Sequence, residues 1–549
     1  MKKWYLRLVI VLLPYLAAYK TTAQSVEWAH RFGGTDPSLY YGDQGMGIAT
    51  DASGNAIAVG YFSGAATFGS TTLTATGFSD GFVSKQDANG ALLWAKRFGG
   101  ANGTKVFGVT TDAAGNIYTT GQFYGSADFG GITMATTSAN DADIFVCKQD
   151  ASGNVAWVKN MGGIGPYDNG CGIAVDRSGN IYTTGYTSGR AKFGTDSVTT
   201  NNLNADIFIC KQDPSGSVLW VHNYGGTTST DIGNGIAVDE QDNIYVTGAF
   251  QETANFGSVS LSSTNNSQAD AFIVKLNSGG SVQWAVKTNG NLPEAGYGIA
   301  TSPGGYLFAT GSFRDVVAFG AHTLTTSSLD NIFVTRIDQS SGAFMWAKSY
   351  GNTNADELGR SIAADASGNV YVTGSFYNSV TFKNRITAAG ESDAFVIKMD
   401  AAGNNIWDIP LGGTHSDIGY GVATHAGTVY TTGVFFSTTA RMGSIVLNNA
   451  GGNDIYVAKI NQSGVSVGTV MHNATVKTFP NPASDMLLID GTRAGDMISI
   501  TDLAGRTLLT VVAEGPKMMV PVNEFSVGNY LLHIRGQEAN AVHKITVNR

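Results

Sequence analysis

The sequence predicts an all-β fold, a seven-bladed β-propeller followed by a small β-sandwich (Ig-like) C-terminal domain. Three observations carry this. Among 549 residues glycine is abundant (71) and proline scarce (11), which suits many short strands joined by tight turns and excludes a collagen period or a Pro-rich disordered chain. Tryptophan recurs at 28, 94, 157, 220, 284, 346 and 407, at intervals of 61 to 66 residues, and a fixed period is the signature of a repeat architecture. Two further markers also count seven: a strand-closing glycine (Gly60, Gly121, Gly185, Gly248, Gly311, Gly374, Gly433) and an aromatic in an Asp-x-Phe-type strand (Phe82, Phe145, Phe208, Phe272, Phe333, Phe395, Tyr456).

One unit, read from Gly108 to Gly163, gives four strands. Val109–Asp112 is the first and Asn116–Gly121 the second, joined by the turn Asp112-Ala-Ala-Gly115. Asp at the first and Gly at the fourth position suit a type I turn, in which glycine takes the left-handed conformation without a Cβ clash. A linking segment with Phe129-Gly130 and a Thr-rich stretch follows. The third strand is Ile144–Lys148, and after a similar turn at Asp150–Gly153 the fourth carries Trp157 and ends in Gly162-Gly163. β-Branched and aromatic residues at these positions fit strands. Seven four-stranded blades close a ring and leave few edges exposed. For closure, the fourth-strand sequence Val26–Phe32 precedes the first complete unit, while the seventh unit has Gly468 where Trp belongs. The simplest account has the Trp28 strand completing blade seven; in the competing account Val465–Val470 fills that place.

The pattern Gly-Ile-Ala-Val-Asp-x-x-Gly-Asn-Ile-Tyr-x-Thr-Gly stands complete at Gly172–Gly185 and, with Glu240-Gln-Asp242 in its turn, at Gly235–Gly248. It resembles the bacterial seven-bladed β-propeller repeat (SBBP) family and, more distantly, NHL-type repeats, over roughly residues 25–470. Blade five (Thr301–Tyr306) and blade seven (Thr424–Thr428) depart from it in the turn only. The resemblance implies a propeller scaffold and no fixed activity.

Near His472 the period stops. Phe479-Pro480-Asn481-Pro482-Ala-Ser-Asp485 is followed by short apolar segments, then Asp502-Leu-Ala-Gly505-Arg506, Gly528-Asn-Tyr530 and a last strand holding Lys544. Strand and turn signals alone give a β-sandwich of about 75 residues. The order resembles the C-terminal sorting domain of type IX secretion in Bacteroidetes, with Phe479 where Tyr is more frequent and Arg549 where Lys is common. The resemblance implies the type IX machinery as partner, export through the inner membrane, recognition of this domain at the outer membrane, and often its removal with attachment of the passenger to surface lipopolysaccharide.

The other end agrees. Lys2, Lys3 and Arg7 precede an apolar run from Leu8 to Ala18, too short to span the roughly 30 Å hydrocarbon core, with small residues after it. The expected organisation is a signal peptide at 1–23, the propeller at 24–471, a linker at 472–478 and the sorting domain at 479–549, in a secreted or outer-surface monomer without a transmembrane segment. Charged residues make up only 14% and the net charge is −9. No basic run exists to neutralise phosphates, so nucleic acid is not an expected partner. Cys147, Cys171 and Cys210 show no zinc spacing and read as buried free thiols, with one disulfide as the other reading.

No nucleophile elbow, phosphate-binding loop or His-Glu-x-x-His is present, and the eight histidines show no metal spacing. One constellation stands out. Five positions before the first-strand residue Ile48, or its equivalent, an acid recurs: Asp43, Asp168, Asp231, Glu294, Glu357 and Asp417, with Thr104 breaking the series in blade two. Ringed around one mouth, six carboxylates would repel, and a cation, Ca²⁺ in particular, would relieve them. Alternatively each accepts backbone N–H bonds and fixes its own loop. No other cofactor is expected. The functional reading is a non-enzymatic propeller that binds an unknown glycan or protein. A polysaccharide-degrading enzyme is the alternative, with Glu252, Arg314, Asp315 and Arg360 as its scattered candidates.

Overall fold

The computed structural model describes residues 24–35, 42–138, 141–200, 204–227, 229–326, 329–351, 356–461, 477–492, 494–502, 507–535 and 540–548. The expected signal peptide, the competing closing strand at 465–470, most of the linker, and Gly505 and Arg506 lie outside them. All described secondary structure is β, and the chain divides into two compact units, Gln24–Gly464 and a C-terminal one holding the strands from Lys477 onward.

In the first unit a four-stranded antiparallel sheet recurs. Sheet two shows the pattern: Thr104–Thr111, Ile117–Tyr124, Ala142–Gln149 and Val155–Ile164 pair in sequence order. Equivalent sheets open at Gln44 (sheet one), Asn169, Ile232, Glu294 and Leu358. Sheet seven is built from Asp417–His425, Thr428–Phe435 and Asp454–Asn461, and takes Ser25–Gly34 as its fourth strand, with Trp28 opposite Lys459 and Phe32 opposite Ile455. Its innermost strand packs on that of sheet one, and each innermost strand packs on the next, so the contacts form an unbroken cycle.

The three repeat markers acquire physical reasons here. A Cβ on Gly60 would overlap the carbonyl oxygen of Gln44 on the paired inner strand and come within 2.8 Å of the Phe82 ring. That glycine and that aromatic therefore form one tight contact, repeated in each sheet. Tryptophan is a latch: Trp28, Trp94, Trp157, Trp220, Trp284 and Trp346 each donate Nε1–H to a carbonyl in a turn of the following sheet, at 3.1–3.4 Å. A buried indole N–H wants such a partner.

The linking segment holds more structure than its sequence announces. In sheet two it forms a hairpin, Ser126–Phe129 with Ile132–Ala135, whose first strand pairs with the outer strand of sheet one. Hairpins from sheets one, three and seven add to their preceding neighbours in the same way, covering the edges that an isolated blade would expose. Each hairpin aromatic packs on the third-strand aromatic of its own sheet, as in Phe129–Phe145 and Phe193–Phe208, with centroids 4.8 and 5.1 Å apart.

The Asp-x-x-Gly turn forms as its residues dictate. Gly115 N–H donates to the Asp112 carbonyl at 3.0 Å with φ +82°, and the Asp112 carboxylate accepts from Ala114 N, Asn116 N, Asn116 Nδ2 and the Tyr118 hydroxyl. Sheet five keeps this loop through Gly305 N to the Ser302 carbonyl. Sheet seven replaces it with a two-residue turn in which Ala426 and Gly427 both have positive φ, the geometry that matches strand twist.

In the C-terminal unit a three-stranded sheet (Lys477–Phe479, Met486–Asp490, Lys517–Pro521) and a four-stranded one (Met497–Asp502, Thr507–Val512, Gly528–Arg535, Asn540–Val547) share one core, including Leu487, Ile489, Ile500, Val520, Leu532 and Ile545.

Candidate functional site

Each of the six recurrent acids is buried at a junction between neighbouring sheets. Asp43 accepts Gly34 N and Ser63 N. Asp168 accepts Gly163 N, Ser188 N and the Thr187 hydroxyl. Asp231 accepts Gly226 N and Gln251 N, Glu294 accepts the Thr288 hydroxyl, and Asp417 accepts Gly413 N, Phe436 N and the Ser437 hydroxyl. Glu357 and the series-breaking Thr104 are equally buried. Five of the six carboxylates thus accept hydrogen bonds within their own junctions. Among the described residues no three His, Cys, Asp or Glu side chains stand together in a group suited to a metal ion.

A second acid series faces the first. It is the Asp of the Asp-x-Phe strand: Asp80, Asp143, Asp206, Asp270, Asp393 and Asp454, with Asn331 in sheet five. Asp143 Oδ1 and Asp168 Oδ2 lie 2.6 and 3.0 Å from where Gly162 would carry a Cβ; Asp206 and Asp231 flank Gly225, and Asp393 and Asp417 flank Gly412, in the same way. The fourth-strand glycine leaves room for two carboxyl groups, one from each side. Burial, and then the neighbouring acid, lift Asp206 to about 7 and Glu294 to about 8. Asp417, despite its hydrogen bonds, rises to about 7. Asp80, Asp270 and Asp454 form salt bridges with Arg97, Lys287 and Arg31. Sequence reading used this Asp only as part of a repeat marker; its recurrence two residues before each aromatic was the available signal.

Nearer the ring axis lies a second feature that was not read from the sequence. Every innermost strand carries a β-bulge at the same place, between Gly45 and Gly47 in sheet one and at equivalent positions through Gly419 and Gly421 in sheet seven. A bulge re-aims the extra side chain. The seven extra residues are Met46, Phe107, Cys171, Asn234, Tyr297, Arg360 and Tyr420, and all line one central cavity of about 320 Å³. Its walls otherwise repeat: Ile48, Val109, Ile173, Ile236, Ile299 and Ile362, with a small residue, Gly or Ser, before each. The Arg360 guanidinium lies 4.9 Å from the Tyr420 ring centroid. Beside the cavity Lys105 sits 4.4 Å from the Tyr61 ring, and burial lowers its pKa.

The enzyme candidates are not brought together. Glu252 and Asp315 occupy left-handed turn positions (φ +60° and +63°) where sheets one to three have Gly64, Gly125 and Gly189. Arg314 is tied to Asp330 and Asp356 at 2.9 and 3.5 Å, and Arg360 faces the cavity. The three cysteines are free; Cys147 and Cys210 are buried, while Cys171 is only half-buried and lines the cavity, with burial pushing its thiol up to about 12.

In the C-terminal unit the Pro-Asn-Pro segment is zipped to the last strand. Asn481 Oδ1 accepts Thr546 N at 2.8 Å, Ala483 N donates to the Thr546 carbonyl, and Asn548 N donates to the Ala483 carbonyl. Tyr530 donates its hydroxyl to the Ser526 carbonyl at 2.6 Å and packs on Phe525, fixing the turn that holds Gly528. Phe479 is exposed, and Asp485 N-terminal to its strand receives Val522 N at its carbonyl. Lys544 pairs with Leu531 in the last ladder, and Asp502 with Tyr530.

Residues 477–548 match the family profile of the secretion system C-terminal sorting domain. Residues 93–122, 156–190 and 219–249 match that of the β-propeller repeat. An uncharacterized WD repeat-containing protein, L264 of Acanthamoeba polyphaga mimivirus, is 22% identical over 488 residues, covering 71% of this chain and 34% of that protein. The chain thus spans about a third of that relative's length. Among solved structures, PorZ, an essential surface component of the type IX secretion system of Porphyromonas gingivalis, is similar at 12% identity and a TM-score of 0.35, covering 94% of this chain and 60% of PorZ. Quinohemoprotein alcohol dehydrogenase of Comamonas testosteroni is similar at 11% identity and a TM-score of 0.37, covering 86% and 81%. Likeness at this level assigns no function.

Proposed function

We propose, for a chain that carries β-propeller repeats and a type IX secretion sorting domain, that it is a seven-bladed propeller scaffold displayed at or released from the cell surface, where it binds a glycan or protein without catalysing a reaction. One observation carries this: the chain's buried carboxyl pairs recur junction after junction. A repeated pair serves the scaffold, whereas a catalytic pair stands out from its repeat. The unbroken cycle of inner strands and the N-terminal strand in sheet seven support the blade count. The same reading takes residues 1–23 as a signal peptide, the C-terminal unit as an Ig-like sandwich, lipopolysaccharide as its surface attachment and the passenger as a monomer.

Glycan-array binding and pull-down from culture medium with the full chain test the binding reading; a saturable ligand is expected. Deleting residues 477–549 is expected to abolish surface display. Turnover of a plant or algal polysaccharide, lost on changing two of Glu252, Arg314, Asp315 and Arg360, would overturn the reading in favour of an enzyme.

A further inference from the structure

The cavity is where the repeat stops repeating. Its walls are the same residue types from sheet to sheet, and the glycines before them are held by close packing: a Cβ on Gly235 would lie 3.1 Å from the Tyr297 carbonyl, and one on Gly421 3.0 Å from Ile48 N. The bulge residue projects out of this packing, so the scaffold does not dictate its type. Six different residue types nonetheless fill seven places.

Two of the lining side chains have unmet hydrogen-bonding capacity. Arg360 is the one charged residue among those lining the cavity, and its Nε is buried without a hydrogen-bond partner. Its guanidinium lies against the Tyr420 ring, and among the described residues no carboxylate forms a salt bridge with it. Asn169, 9% exposed, donates Nδ2–H to the Tyr186 hydroxyl at 3.3 Å, while its Oδ1 is buried without a donor. Arg360 belongs to sheet six and Asn169 to sheet three, so a fixed cation and a fixed acceptor come from sheets well separated around the ring. The rings of Tyr297, Tyr420 and Phe107 line the space with them.

A guanidinium recognises a planar oxyanion through paired N–H bonds, an amide oxygen accepts a hydroxyl, and aromatic rings take the apolar face of a ring. A volume of about 320 Å³ lies at the small end of ligand pockets. We propose that this cavity binds a sugar acid, a hydroxylated ring bearing a carboxylate, with Arg360 on the carboxylate and Asn169 Oδ1 on a hydroxyl. The assignment rests on the ligand-binding reading above and names its site and ligand class.

Calorimetric titration of the full chain with glucuronate, galacturonate, glucose, galactose and lactate tests it. The two sugar acids are expected to bind at least about tenfold more tightly than the neutral sugars and than lactate, the margin a charge-assisted hydrogen bond supplies. Arg360→Gln should erase the advantage over neutral sugars; Arg360→Lys, which keeps the charge and loses the fork, should retain part of it; Asn169→Leu should weaken acids and neutral sugars alike. Urea unfolding of each variant shows that the fold is intact. Neutral sugars binding as well as acids, lactate binding as well as glucuronate, or an Arg360→Gln protein with unchanged affinity would each overturn the proposal. If the array shows ligands whose capture Arg360→Gln leaves untouched, the sugar-acid site falls while the scaffold reading stands; if the full chain captures nothing, both fall.

Discussion

Asp393→Asn isolates the chemistry of one buried carboxyl pair. In the folded protein Asp393 and Asp417 flank Gly412, and both are almost fully buried. Burial lifts Asp393 to about 6 and Asp417 to about 7, against about 3.9 for an aspartate in the unfolded chain. The native state therefore holds protons between roughly pH 4 and pH 7 that the unfolded chain has released. Stability is greatest near the acid end of that window and falls as pH rises through the folded values. At about 1.4 kcal/mol per pH unit, and with relaxation reducing the limit, the pair costs on the order of 2–4 kcal/mol at pH 8 relative to pH 5. Asparagine is the native choice at the equivalent position, Asn331, beside Glu357, where it accepts from the Thr326 hydroxyl at 3.0 Å. Asp393→Asn should accordingly raise stability at pH 8 by about 1–2 kcal/mol and leave it unchanged or slightly lower at pH 5. Urea midpoints of both proteins at half-unit steps from pH 5 to 8 measure the difference. Parallel profiles, or a wild-type midpoint that rises across this range, would refute the shared-burial argument.

Trp284→Phe removes the Nε1 donor to the Gln339 carbonyl at 3.1 Å and should cost about 1–2 kcal/mol, read by urea unfolding. Gly60→Ala drives a methyl into the Gln44 carbonyl at a site where the backbone has no room; a loss of about 3 kcal/mol or more, or failure to accumulate, is expected in a soluble-expression and thermal-melt assay. Millimolar Ca²⁺ should produce neither titration heat nor a thermal shift, because the recurrent acids already accept hydrogen bonds within their own junctions; a saturable heat would restore the cation ring.

The sequence carried the four-stranded repeat because the same contacts recur at each turn of the chain. Gly60 and Phe82 mark one interatomic contact, so both had to appear at the same interval. The closing strand was legible for a related reason: Trp28 makes the same latch to Ala88 that Trp94 makes to Ala151, so it looks like a fourth strand with no unit before it. The hairpins were read as linkers because each four-residue strand alternates only two apolar inward positions with more exposed ones, too short a signal to separate from a loop. The partner acids were hidden by strand periodicity. Asp143 leads into the apolar run Ile144–Cys147 of its strand, and only the fourth-strand glycine, remote in sequence, shows that two carboxyl groups meet there.

The bulges were illegible for a different reason, and it bears on where function sits. A bulge adds one residue to a strand without changing the repeat length when all seven strands carry it, so nothing in the spacing betrays it. What betrays it is disagreement between repeats. Gly47 and Ile48 have near-identical counterparts in every inner strand, because each is pressed between two neighbouring sheets and the same packing problem has the same answer. Met46, Phe107, Cys171, Asn234, Tyr297, Arg360 and Tyr420 answer no common packing problem. In a ring built from repeats, stability is expressed by what recurs, and a ligand can only be recognised by what does not. The buried acids, chemically the more conspicuous set, recur from junction to junction; Arg360, which stands at one bulge of the seven, is the group on which the proposed site depends.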